Sequence, residues 1–255
     1  MVSATRLCLE RNRNNTQRAR SERMGTAMSA PELIYCAGKN RTFEAIALAA
    51  GYTLGAQLPA KIYHPIGFAD QDWKRPNRAA YMAALAQHRP RMATVLDLEQ
   101  PEQRPEVLNW AEEAAQYTER VLIIPKHSGV IDTLPRQIGD AQVVLAFSVP
   151  TTFGGTEVPL WEFAGWPIHL LGGSPHAQMR YAAHLNAIAD VVSVDGNMAN
   201  RMAHKCRFWS ARPGGAKRDR WWSLADVGMG GFGEGSNAEA FRRSCANIRA
   251  AWGSL

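Results

Sequence analysis

Four cysteines in 255 residues is a small number, and none stands close to another. Cys8, Cys36, Cys206 and Cys245 form no CxxC pair, so neither a structural zinc site nor a disulfide framework is expected, and reduced thiols are the default. No apolar run approaches the ~18–20 residues that span a bilayer. The Arg-rich N-terminus lacks the apolar stretch of a secretory signal. These absences together point to a cytoplasmic chain with no membrane partner. No GxGxxG follows the first strand-like run, which weighs against a dinucleotide-binding sheet.

Acidic excess is also missing: the net charge is +6. It is spread unevenly. Residues 1–30 carry six Arg against Glu10 and Glu22. Residues 201–220 carry Arg201, Lys205, Arg207, Arg212, Lys217, Arg218 and Arg220 against Asp219. The middle is nearly balanced. A basic flank on a neutral core suits a polyanion such as nucleic acid, or equally a solvated surface with a loose tail.

The hydrophobic content of 46% is enough for one full-sized core with extensions. Residues 1–30 show no apolar period and read as a disordered basic tail. From Leu33 onward the pattern is regular. Strand-like runs are Leu33–Ala37, Thr53–Leu58, Met92–Leu98, Arg120–Pro125, Gln142–Val149, Ile168–Leu171 and Val191–Val194. Helix-like runs, Arg41–Ala50, Arg78–His88, Pro105–Thr118 and Pro175–Ala187, lie between most of them. Strands alternating with helices mean a parallel α/β fold. The expectation is a compact (β/α)8, TIM-barrel-like domain over 31–203, with one strand irregular or missing. Residues 204–255, rich in Trp, Arg and Gly, then pack on the barrel and end in a helix, Asn237–Trp252. That helix carries Phe241, Cys245, Ile248 and Trp252 on one stripe.

The densest signal is Pro167–Arg201 (PIHLLGGSPHAQMRYAAHLNAIADVVSVDGNMANR). A short buried strand leads into Gly172-Gly173, where the chain can turn and a ligand can lie close. Ser174-Pro175 is a helix start. The next strand ends on Asp195, followed by Gly196 and Asn197. Asp97 likewise ends a strand (ATVLDLE). Ligands and chemistry gather at the carboxyl ends of strands in this fold. Each Asp alone fits a helix cap or an Arg partner equally well; two, with the Gly-Gly turn, favour a site. Lys126 and Ser148 also close strand-like runs, as polar loop residues or substrate contacts. FADQDWKRP reads as a loop offering Asp70, Asp72 and Trp73. In the C-terminal flank, Trp221 and Trp222 interleave with Arg207, Lys217, Arg218 and Arg220. They suit either base stacking and phosphate contact or packing on the barrel wall.

The stretch LDLEQPEQRPEVLNWAEEA resembles the tRNA-guanine transglycosylases, in which a strand-end Asp precedes a Pro-containing loop and a helix bearing Trp-Ala-Glu. Asp97 and Trp110-Ala111-Glu112 match those positions. PIHLLGGSPHAQMRYAAHLNAIAD is similar to the family's Gly-rich segment and its helix. Asp195 stands six positions before Arg201, as the family's nucleophile stands before an Arg. The family's zinc motif of three Cys and a His is absent, and so is its Asp-Ser-Gly-Gly-Phe-Gln. In character the chain resembles the divergent relatives, found in phages and bacterial genomic islands, that insert 7-deazaguanines into DNA.

The resemblance implies a transferase, a glycosyltransferase that exchanges guanine in a nucleic acid, DNA favoured over tRNA, for a 7-deazaguanine such as preQ0. Asp195 would be the nucleophile of a covalent glycosyl intermediate. Asp97 would read the base with Lys126, Ser148, Gly172 and Gly173. Asp70 and Asp72 are the candidates for general base, Asp72 taken first. Asn197, Arg201, Arg207, Lys217, Arg218, Arg220, Trp221 and Trp222 would hold the polymer. No metal or cofactor is called for. The partners are DNA or tRNA, the deazaguanine base and, as an option, a second copy in a homodimer. Two alternatives stay open: a barrel hydrolase or lyase using Asp97 and Asp195 as its acid/base pair on a small molecule, and a non-catalytic nucleic-acid-binding paralogue.

Overall fold

The structure is a computed structural model and describes residues 30–36, 40–152, 154–212, 220–230, 233 and 235–255. The tail expected to be disordered lies outside these residues, Ala30 excepted, and so do Lys217 and Arg218 of the basic flank.

Short runs, apolar in all but β3, make the strands of a parallel sheet. They are β1 (Glu32–Tyr35), β2 (Thr53–Leu58), β3 (Phe68–Gln71), β4 (Met92–Leu98), β5 (Arg120–Pro125), β7 (Ala141–Ser148), β8 (Pro167–Leu171) and β9 (Asp190–Asp195). Each pairs in parallel with the next, β5 pairs with β7, and β9 returns to β1. The circuit closes into an eight-stranded α/β barrel of TIM type. The two-residue β6 (Gln137–Ile138) is an antiparallel arm on β7.

No barrel strand is missing, although only seven strand-like runs are legible in the sequence, and β4 is irregular. The eighth is Phe68–Gln71, inside the segment expected to be a loop. Its four residues include Asp70 and Gln71, so it has no apolar run to announce it. It is held instead by pairing with β2 and β4 on either side.

Side chains alternate between the barrel interior and the helical layer. Ile34, Phe68, Met92, Leu122, Ile124, Val144 and Ala146 form the inner core. Gly55 of β2 faces the same interior; a Cβ there would lie 2.8 Å from the Phe68 ring. In β4 the register shifts between Thr94 and Asp97. Strict alternation would send Leu96 inward; the irregularity turns Asp97 inward instead, opposite Ile124.

The outer helices are α1 (Arg41–Ala49), α2 (Arg78–His88), α3 (Arg104–Ala114) and α4 (Pro175–Leu185). Asn40, Asn77 and Ser174 cap α1, α2 and α4, each side chain accepting a backbone N–H of the first turn. A loop joins β2 to β3, and 3-10 turns at Ile131–Thr133 and Leu160–Phe163 replace helices around β7.

After β9 come α5 (Met198–Ala203), the hairpin β10 (Arg207–Trp209) and β11 (Trp221–Ser223), and α6 (Ser236–Trp252). α6 buries Phe241, Cys245, Ile248 and Trp252. Phe241 stacks on Phe43 of α1 with centroids 4.4 Å apart. Arg249 donates to the carbonyls of Ala50 and Gly51. Ser244 and Asn247 bond the backbone of Trp209. The C-terminal segment is therefore fastened to the barrel beside β1. No helix among the described residues is long and apolar enough to cross a membrane.

Candidate active site at the barrel mouth

The carboxyl ends of the strands surround a cavity of about 1030 Å³. The strands deliver to it Cys36 after β1, Gln57 from β2, Asp70 and Gln71 from β3, Asp97 from β4, Lys126 after β5, Ser148 from β7, Gly172 and Gly173 after β8, and Asp195 from β9. Asp97, Lys126, Ser148, Gly172, Gly173, Asp195 and Asn197, singled out in separate segments of the sequence, thus line one space.

Asp195 is buried, and its position is fixed by three neighbours. The Gly172 N–H donates to Oδ1 at 2.9 Å. His169 Nε2 lies 3.3 Å from the same oxygen. Gln178 of α4 donates through Nε2 to the Asp195 and Gly172 carbonyls, tying together the ends of β8 and β9. Oδ2 has no donor among the described residues. His169 is fully buried, stacks on Phe68 with centroids 5.2 Å apart, and has Nδ1 at 2.9 Å from Ser193 Oγ. The tautomer that serves Asp195 carries its hydrogen on Nε2, so the Ser193 hydroxyl donates to Nδ1. An imidazole held on both sides orients the carboxylate beside it, as a supporting residue does in many sites.

Asp70 stands in a different environment. The Thr94 hydroxyl donates to its Oδ1 at 2.9 Å while accepting the Gln71 N–H at 2.9 Å. Burial, then the charge of Asp195, push the Asp70 carboxyl up to about 7, against the pull of Thr94. Burial also raises Asp97, opposed by Lys126, whose Nζ lies 3.5 Å from Oδ2. The Cys36 thiol is pushed well up by burial and then by Asp195 and Asp70. It is a poor nucleophile there.

Other expected site residues fall elsewhere. Asp72 is outside the cavity; its side chain caps the Lys74 N–H and faces Arg75. The β3 pairing ends at Gln71, so Asp70 is the carboxyl turned inward. Trp221 is buried in the core with Trp209 and cannot offer a ring face to a base. Trp222 is half-buried beside it. Arg220 donates to the Ala211 carbonyl and braces its own hairpin. Arg207 is half-exposed on β10 and Arg201 exposed on α5, and neither lines the cavity. His169, Thr94 and Gln178 were missed. Each is a polar residue within an otherwise apolar strand or helix face, and alternation from Asp195 through the β8–β9 register singles out His169.

Gly172 and Gly173 both have left-handed backbone, at φ 69° and 83°. A Cβ on Gly172 meets open space, whereas one on Gly173 would lie 2.6 Å from Val149 Cγ1. Gly172→Ala should therefore cost only the backbone term, about 1 kcal/mol, and Gly173→Ala about 2–4 kcal/mol through added overpacking. At roughly 2–4 °C per kcal/mol the melting temperatures separate clearly. Equal Tm losses would show that Val149 does not limit the turn.

Among the described residues no cluster of three His, Cys, Asp or Glu side chains is placed to hold a metal ion. A closed parallel barrel whose polar groups converge at the strand ends defines the class, a (β/α)8-barrel protein with its site at the usual face. Within that class the chain belongs to DUF6610, a family of unknown function, whose model matches residues 48–253. No curated protein matches it. Among solved structures, a monomeric form of the dimeric phosphoribosylanthranilate isomerase of Thermotoga maritima overlaps 86% of this chain and 98% of its own, at 10% identity and a TM-score of 0.36. So loose an overlap transfers neither substrate nor mechanism.

Proposed function

We propose that this protein is a base-exchanging transglycosylase acting on guanine in a nucleic acid, DNA in preference to tRNA, with a 7-deazaguanine such as preQ0 as the incoming base. The observation that carries the reading is the pairing of Asp195 and Asp70 in one cavity with unlike surroundings. One carboxyl is oriented by Gly172 and His169 with an oxygen to spare; the other holds its proton up to about pH 7. A carboxyl that keeps its proton, beside one held in place by hydrogen bonds, can divide the work of acid and nucleophile.

In the first half-reaction Asp195 Oδ2 bonds to C1′ of the target nucleotide. The C1′–N9 bond breaks, its electron pair passes to the base, and Asp70 protonates the departing guanine. In the second, Asp70 takes the proton from N9 of the incoming base. N9 attacks C1′, and the glycosyl–Asp195 ester bond breaks. Asp97 and Lys126, side by side at 3.5 Å, offer an acceptor and a donor to the purine edge. The target nucleotide must leave its stack to enter.

The test is incubation of the full chain with a guanine-containing oligodeoxynucleotide and radiolabelled guanine. Label should enter the polymer, and denaturation should preserve a protein–oligonucleotide adduct. A chain that incorporates no label and forms no adduct with DNA or tRNA refutes the reading.

A further inference from the structure

Seven large hydrophobic side chains are exposed among the described residues: Leu48, Tyr63, Trp73, Trp161, Val227, Met229 and Leu255. Only Tyr63 and Trp73 line the cavity. Trp73 is 62% exposed, although tryptophan is usually largely buried. Each ring has cations at hand. The Arg41 guanidinium lies 4.1 Å from the Tyr63 centroid and Lys61 Nζ 5.2 Å from it; Lys74 Nζ lies 5.2 Å from the Trp73 centroid. Arg75 next to them is almost fully exposed. Of the acidic groups on this side, Glu44 faces His64 and Asp72 faces Arg75, while Glu99 and Glu157 come from the loops after β4 and β7, so Lys61, Lys74 and Arg41 lie beside the two rings in local excess over acids.

From this juxtaposition we propose that Trp73 and Tyr63, with Lys61, Lys74, Arg41 and Arg75, form a stacking rim that holds the unpaired strand flanking the nucleotide in the cavity. This rests on the nucleic-acid reading above and moves its main contact surface from the C-terminal flank to the barrel mouth. An exposed ring stacks on any base that is free of a duplex, and neighbouring cations meet its phosphates. The described part of the C-terminal flank suits the polymer less, because Trp221 is buried and Arg220 is tied to Ala211.

The experiment is fluorescence anisotropy of a labelled oligothymidylate of about 15 nucleotides, alone and annealed to oligodeoxyadenylate, at several salt concentrations. The probe contains no guanine, so binding is read without exchange. The single strand should bind the full chain more tightly than the duplex. Trp73→Ala should weaken that binding about tenfold or more, with Trp73→Phe recovering most of the loss and the salt slope unchanged. Lys61→Ala with Lys74→Ala should lower the slope of log K against log salt by about 1.4. Preference for the duplex, or unchanged affinity in both Trp73→Ala and Tyr63→Ala, overturns the rim. Binding of the oligothymidylate through Trp73 without guanine incorporation elsewhere keeps the rim and sinks base exchange. Exchange that persists at full rate in the alanine variants does the reverse.

Discussion

Asp195→Asn should abolish base exchange, lowering kcat by at least about 10³-fold, while the protein keeps its fold and much of its affinity for oligonucleotide. The amide preserves what holds the side chain. Its carbonyl oxygen still accepts the Gly172 N–H and the His169 Nε2–H, the two bonds made by Oδ1. What changes is the second oxygen, replaced by an NH₂ that cannot form an ester with C1′. The denaturation-resistant adduct should vanish with the activity. Asp195→Ala is a poorer probe, since it leaves the buried His169 and the Gly172 N–H without an acceptor, at about 1–3 kcal/mol. If the Asn variant exchanges labelled guanine at close to the parent rate, Asp195 takes no part in covalent chemistry.

Asp70→Asn should separate activity from stability in opposite directions. As the acid that protonates the leaving base, Asp70 must carry its proton. The rate of guanine departure should therefore fall as pH rises through about 7. The Asn variant should lose that limb and about 10²–10⁴-fold in rate. Stability follows the same titration. The ordinary carboxyl value is 3.8 and the folded value about 7. Between them the folded chain holds a proton that the unfolded chain has released. The contribution of this group is thus full below pH 3.8 and is lost as pH rises through about 7. Asn escapes that loss. After allowance for the water that reaches a half-buried side chain, the variant should gain on the order of 2 kcal/mol over the parent at alkaline pH and little below pH 4. Melting temperatures at pH 5 and pH 8 check this. A difference between parent and variant that does not grow with pH would remove Asp70 as a group strained by burial.

Where side-chain pattern follows backbone period, the sequence is readable without coordinates. The run VVSVD, closed by Asp195, and the cap Ser174-Pro175 do so, and a barrel followed from the spacing of such units. β3 was hidden because FADQ gains its stability from two neighbouring strands and not from its own composition. Pairing with those strands, and not its sequence, is what turns Asp70 inward in preference to Asp72. Asp97 was found by its place at a strand end, but the device that turns it inward, the shifted register after Thr94, depends on pairing with β5 and leaves no local mark. His169 stands as one of four residues in an otherwise apolar run, Ile168–Leu171, and nothing near it in the chain reveals Ser193 or Asp195. Trp221 and Trp222 misled because composition records an aromatic beside an arginine and not whether its ring faces water.

Gly55 lines the inner wall of the cavity and carries no reactive group, yet it stands first in a line of contacts that ends at the nucleophile. Its missing side chain leaves the room that the Phe68 ring fills. Phe68 supports the His169 ring at 5.2 Å, and His169 reaches Asp195 at 3.3 Å. Because packed interiors transmit displacement instead of absorbing it, the aim of Asp195 is set in part from the floor of the barrel. One methyl group added there would move it. Descendants of this chain thus have a place to adjust the reactive carboxylate while every polar residue of the cavity stays as it is.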